Sequence, residues 1–216
     1  MSFNALAPHY RWMELVLAGR KLQRCRTSFL EKVQHADQVL LLGEGNGRFL
    51  PGCRRQFPQA QITCLDLSAA MIDQARRRLG TQVSKSPEVR FVHADALTWR
   101  PPAHCTYDLI VTNFFLDCFR ADQLERLVER IGRASAPRTN WLLADFQVAP
   151  AGLQRFRSRL ILGLMYLFFR ATTQLPAHRL FAPDPYLEKA SFVLRERRQS
   201  EWGLLRSDWW QRSGVN

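Results

Sequence analysis

The run Val39-Leu40-Leu41-Leu42 passes directly into Gly43-Glu44-Gly45-Asn46-Gly47, and no other stretch restricts the fold of this chain as tightly. Consecutive apolar residues ended by a turn signal read as a strand buried on both faces. Glycine at every second position of the turn lets the backbone bend sharply and approach a ligand where a side chain would otherwise stand. A helix containing Phe49, Leu50 and Phe57 is expected next. Strand, glycine turn and helix in that order is how a parallel sheet covered by helices begins.

The pattern repeats. Ile62–Leu67 reads as a second strand, and Ser68 is a natural cap for a helix to Leu79, with Met71, Ile72, Ala75 and Leu79 at helical spacing. Val89–Val92, Tyr107–Thr112 and Trp141–Phe146 give three more short strands, with a helix from about Asp122 to Ala134 before the last. After a loop marked by Pro176, Pro183 and Pro185, Ser191–Gln199 and Trp202–Trp210 alternate like a closing antiparallel pair. The expected fold is α/β, a mostly parallel seven-stranded sheet with helices on both faces and a C-terminal antiparallel strand pair.

At 216 residues one domain is expected over 1–216. Its parts are N-terminal covering helices (1–36), a nucleoside-binding core (37–150), a substrate-covering insertion (151–190) and closing strands (191–216). The five cysteines are odd in number and show no CxxC spacing, so neither a disulfide framework nor a metal site is expected, and a cytoplasmic location fits. The apolar run Leu160–Phe169, bounded by Arg159 and Arg170, is about half the ~20 residues a spanning helix needs. The net charge of +12 comes mostly from arginines scattered along the chain, which argues for solvated surface and against specific nucleic-acid recognition.

Asp66 ends the second strand about 20 residues after the glycine turn, where a carboxylate can accept from both ribose hydroxyls of a nucleoside. A dinucleotide site uses the same turn and acid, but its GxGxxG pattern requires glycine where this chain has Arg48. A second acid, Asp95, ends the third strand and can accept from an adenine amino group. VLLLGEGNGRFL, CLDLSAAMIDQARRRL and VRFVHADAL together resemble the three successive cofactor motifs of class I methyltransferases dependent on S-adenosylmethionine (SAM). The DLSxxMIxxA pattern and the opening FNALAPHYRWME are similar to the branch that includes ubiquinone and menaquinone biosynthesis methyltransferases.

The resemblance implies a Rossmann-like fold, SAM as cofactor and a set of roles. Gly43, Glu44, Gly45, Asn46 and Gly47 would hold the methionyl part, Asp66 and Leu67 the ribose, and Asp95, Ala96, Leu97 and Met71 the adenine. Tyr10 would close over the cofactor, Asn113 would lie near the methionyl amino group, and Phe114 and Phe115 would border the methyl-transfer channel. Where the family often carries an acid two residues before the first glycine, this chain has Leu41, with Glu44 inside the turn instead. Asn113-Phe114-Phe115 also replaces the Asn-Pro-Pro-Tyr of enzymes that methylate nucleobase or glutamine amides.

The expected acceptor is a small, apolar or aromatic molecule. RNA methylation and non-catalytic SAM binding are the alternatives. Asp117, His9, His104 and His178 are the candidate bases, Asp117 first by its place after Phe114. Leu153–Arg170 has too little polar surface for an ordinary exposed helix and is expected to bury two sides. Met165 and Phe169 are read as roofing the acceptor, with peripheral membrane contact and a monomer or homodimer left open.

Overall fold

The computed structural model describes residues 19–80, 87–103, 105–149, 151–173 and 180–214, with the helix but not the side chains described for 164–173. The elements in order are α1 (Gly19–Thr27), β1 (Gln38–Leu42), α2 (Leu50–Gln56), β2 (Gln61–Asp66), α3 (Ala69–Leu79), β3 (Arg90–His93) and β4 (Tyr107–Asn113). They continue with α4 (Ala121–Arg133), β5 (Ser135–Phe146), α5 (Gly152–Thr173), α6 (Asp184–Lys189), β6 (Phe192–Ser200) and β7 (Leu205–Arg212). The seven strands form one sheet in the order β3-β2-β1-β4-β5-β7-β6. Pairing is parallel from β3 through β5, and β7 runs antiparallel to both β5 and β6.

Two-residue alternation divides the core between the faces of the sheet. Val39 and Leu41 of β1 and Leu109 and Val111 of β4 join one cluster with Phe29, Phe49 and Leu50. Leu40, Leu42 and Ile110 join the other, against Leu124, Leu127, Val128 and Ile131 of α4. Those four α4 residues recur at i, i+3, i+4 and i+7, the stripe by which a helix covers a sheet. A third cluster, containing Leu22 and Cys25 of α1, Phe114, Phe146 and Leu162 of α5, caps the carboxyl side of β4 and β5.

Several expected boundaries move. The third strand is Arg90–His93 rather than Val89–Val92, and the helix before β5 is Ala121–Arg133. β5 starts at Ser135, six residues early, because Pro137, Arg138 and Asn140 conceal its alternation while Ser135 already pairs with Tyr107 across a register irregularity. Trp202, expected inside the last strand, stands in the turn between β6 and β7, where Glu201, Trp202 and Gly203 all have positive φ. The proline-marked loop also contains the short helix α6. In the described part of α5 one side is buried through Ser158 and Leu162, whereas Leu153, Phe156 and Leu160 face outward, so the two-sided burial expected there is not met.

β7 carries Arg206, Ser207 and Asp208 into the interior. Asp208 binds Arg197 of β6 through two hydrogen bonds of 2.7 Å, and Arg206 donates to Asp184 of α6 at 2.8 Å. Removal of one member of such a buried ion-pair network leaves the others stranded. The network fixes α6 to the closing hairpin.

Candidate active site

The residues singled out in the sequence gather at the carboxyl ends of β1 to β4. Gly43, Gly45 and Gly47 have φ of 64°, 63° and 77°. A Cβ at Gly47 would stand 2.6 Å from the Ala75 backbone, so glycine there lets the turn lie against α3. A Cβ at Gly43 would fall inside the Phe115 ring, which brings the predicted channel residue onto the turn. At Gly45 nothing lies within 4 Å of that position, and this is the flank a ligand can approach.

Asp66 fastens the turn to the end of β2. Its Oδ2 accepts from the Gly45 N–H at 2.8 Å and its Oδ1 from the Ser68 N–H at 2.9 Å, while Ser68 Oγ caps α3 through the Met71 N–H. Burial raises the Asp66 pKa above the ordinary carboxylate value, against the lowering effect of those donors and of His93. The His93 ring bonds the carbonyl of the exposed Leu67 at 3.0 Å, tying the ends of β3 and β2 together. Asp95 Oδ1 accepts from the Leu97 N–H at 2.8 Å, and Ala96 beside it is buried. Met71 is buried in α3, and Asn46 accepts from Arg78 at 3.4 Å.

Glu44, expected among the residues around the methionyl part, has a structural task. Its Oε1 accepts from the N–H groups of Phe49 at 2.7 Å and Leu50 at 2.9 Å, filling the N-terminus of α2. Burial pushes its carboxyl up to about 7. Leu41, at the position where the family often has an acid, is a core residue.

Asn113 ends β4 with both side-chain amide atoms buried and without a hydrogen-bond partner among the described residues. Buried amides are nearly always paired, which sets this one apart. Phe114 follows at φ 53°, a region few residues other than glycine occupy and one concentrated at functional sites. Its N–H donates to Ala144 O at 2.7 Å, and its ring meets Phe146 at 5.0 Å. Asp117, in the 3₁₀ turn Leu116–Cys118, is buried, and that burial pushes its carboxyl up to about 6. Asp145 at the end of β5 is raised further, first by burial and then by the charge of Asp117.

Sequence reasoning missed Arg26. It is buried at the end of α1, its guanidinium lies over the Phe114 ring at 5.1 Å, and its charge acts on Glu44. Its Nη1 has no hydrogen-bond partner among the described residues. Nothing in the sequence separates this arginine from the others of α1, because only the packing of α1 on β5 and β7 brings it to the site. Tyr10, His9, His104 and His178 lie outside the described residues, as do the side chains of Met165 and Phe169.

Residues 39–138 match the family model described as "Methyltransferase domain". A malonyl-[acyl-carrier protein] O-methyltransferase of Paenibacillus sp. (strain JDR-2) is 38% identical over 35% of this chain and 27% of its own length. A demethylmenaquinone methyltransferase of Deinococcus radiodurans is 29% identical over 70% of this chain and 61% of its own length. The chain thus spans about a quarter to three fifths of the curated relatives it matches. Among solved structures, the N-methyltransferase NodS from Bradyrhizobium japonicum WM9 in complex with S-adenosyl-L-homocysteine superposes with a TM-score of 0.61 at 16% identity, over 89% of this chain and 84% of that one. That likeness shows a shared fold. Glycine turn, strand-end acids and sheet order agree with that match, and residues 39–138 of the chain form a methyltransferase domain.

Proposed function

We propose that the chain transfers a methyl group from SAM to a small, apolar or aromatic acceptor. The observation that carries the cofactor reading is the Glu44 carboxyl seated on the N-terminus of α2. In a dinucleotide site the first helix turns its free N–H groups toward a pyrophosphate. Here those groups are already bonded to the Glu44 carboxyl and are not free to receive a phosphate. The open flank of Gly45 beside Asp66 and the unpartnered Asn113 amide support the same reading.

When bound, SAM supplies an electrophilic methyl group, and the protein's work is alignment and exclusion of water. Asp66 accepts from the ribose hydroxyls and Asp95 from the adenine amino group. The Asn113 amide and the Arg26 guanidinium would hold the methionyl end, and Phe114 and Phe115 would wall the channel. For an acceptor that must lose a proton, Asp117 Oδ is the receiving atom. With a pKa of about 6 it is mostly ionised at neutral pH.

Calorimetry tests this directly: SAM and S-adenosylhomocysteine bind and NAD does not. NAD binding as tight as SAM would sink the reading. Asp95→Asn should cost less than about 1.5 kcal/mol, since an amide oxygen still accepts one hydrogen bond. Its relative affinity for an inosine-type analogue should rise, and an unchanged preference would remove Asp95 from adenine recognition. Labelled SAM offered to fractionated cell extract should mark a small molecule; label appearing only in RNA or protein would overturn the acceptor class.

A further inference from the structure

α5 presents an apolar stripe that no part of the described structure covers. Leu153, Phe156 and Leu160 are 89%, 72% and 55% exposed, and their i, i+3, i+7 spacing puts them on one side of the helix. Opposite them Leu162 packs into the core, and Ser158 accepts from the Ala149 N–H at 3.1 Å. Trp202 at the β6–β7 turn is 65% exposed. That turn is held beside α5 and α1 through Glu201, whose carbonyl accepts from Arg157 at 3.4 Å and whose carboxylate pairs with Lys21. The result is one edge of the molecule with four large apolar side chains in water.

The charge around this edge is mostly positive, its acid Glu201 being paired with Lys21. Arg155, Arg157 and Arg159 are exposed between the apolar residues, α1 adds Arg20, Lys21 and Arg24, and no acid occurs in the sequence between Asp145 and Asp184. A second copy of the chain docked here about a two-fold axis would set these arginines against their own equivalents. A nucleic acid would satisfy the arginines but leave the apolar stripe in water. An anionic lipid surface satisfies both, because a basic helix with Leu and Phe on its outer side lies in the headgroup layer, and tryptophan settles at that depth. Among the described residues no helix is long and apolar enough to cross a membrane, so the geometry is one of lying on it.

We propose that the outer side of α5 and the β6–β7 turn form a docking surface for an anionic membrane. Leu162 on the inner side of α5 shares its cluster with Phe114, so docking places the lipid layer directly behind the candidate acceptor channel. The docking itself does not depend on the methyl-transfer reading.

Sedimentation with phosphatidylcholine vesicles, plain or containing about a third phosphatidylglycerol, tests it. Binding is expected only to the anionic vesicles, with loss in about 0.5 M salt. Arg155→Gln and Arg159→Gln should each weaken it about fivefold, and Phe156→Glu should abolish it with the thermal melt unchanged, since these side chains are exposed. Brominated acyl chains should quench tryptophan emission, and Trp202→Phe should remove that quenching. Equal binding to neutral vesicles, no binding, or quenching that survives Trp202→Phe overturns the proposal. So does a sedimentation-velocity dimer that Phe156→Glu converts to monomer, or arginine variants that lose RNA while keeping vesicles.

Discussion

Asp66→Ala is expected to weaken SAM binding about 30- to 1000-fold, or about 2–4 kcal/mol, taking ~1.5–3 kcal/mol for each charge-assisted hydrogen bond to the ribose with partial compensation by water. The carboxylate also accepts from the N–H groups of Gly45 and Ser68, so its loss frees two donors inside the site as well. Asp66→Asn separates the contributions. Its amide oxygen can keep one internal bond, while the charge that strengthens the ribose bonds is gone, and it should fall between wild type and alanine. Calorimetry with S-adenosylhomocysteine on folded variants gives the answer. Equal affinity in wild type and Asp66→Ala would falsify the ribose assignment.

The second large effect is on stability. Burial pushes Asp117 from 3.8 up to about 6 and Glu44 from 4.5 up to about 7. In the interval between unfolded and folded values the native chain holds protons that the unfolded chain has released, so stability falls as pH rises. The contribution is complete below about pH 4 and is lost progressively up to about pH 7. At ~1.36 kcal/mol for each pKa unit, Asp117 alone accounts for about 3 kcal/mol, or about 6–12 °C in melting temperature for a chain of this size. Asp184 acts in the opposite sense at lower pH: burial alone would raise its pKa, but Arg206 and Arg197 hold it below the usual value, so its stabilisation fades on acidification. The melting temperature should therefore peak near about pH 4 and decline toward about pH 7. Glu44→Gln retains an acceptor for Phe49 and Leu50 and should make the decline shallower. A melting temperature that climbs between about pH 4 and 7, the span of the two titrations, would show that these carboxyls are ionised in the fold at no cost.

The parallel half of the sheet was legible because its strands are short, apolar and followed by glycine or acid at the strand end. Val39–Leu42 and Ile62–Asp66 carry that signature, and the acids that end β2 and precede the turn after β3 are the same residues that single out the site. β5 was half hidden because its first residues are polar and proline-containing, and pair only across an irregularity. The hairpin turn was misplaced because Trp202 has the composition of a strand and the backbone of a turn. Arg26 and the capping role of Glu44 were not legible at all. Arg26 depends on tertiary packing, which sets its guanidinium 5.1 Å from the Phe114 ring and which spacing along one chain does not encode, while Glu44 reaches the Phe49 and Leu50 N–H groups only through the local path of the glycine turn.

The position of β7 between β5 and β6 governs the order in which the molecule can be completed. While a ribosome delivers the chain from the N-terminus, β1 to β5 can zip together as they emerge, yet β5 keeps a bare edge along Asn140–Phe146 until Leu205–Arg212 arrives. β6 emerges earlier but gains nothing from waiting at that edge, because among the described strands it pairs only with β7. Throughout that interval the nascent protein exposes an unpaired apolar strand and the unfinished seat for α1, the kind of surface on which chaperones act and at which partly made chains stick to one another.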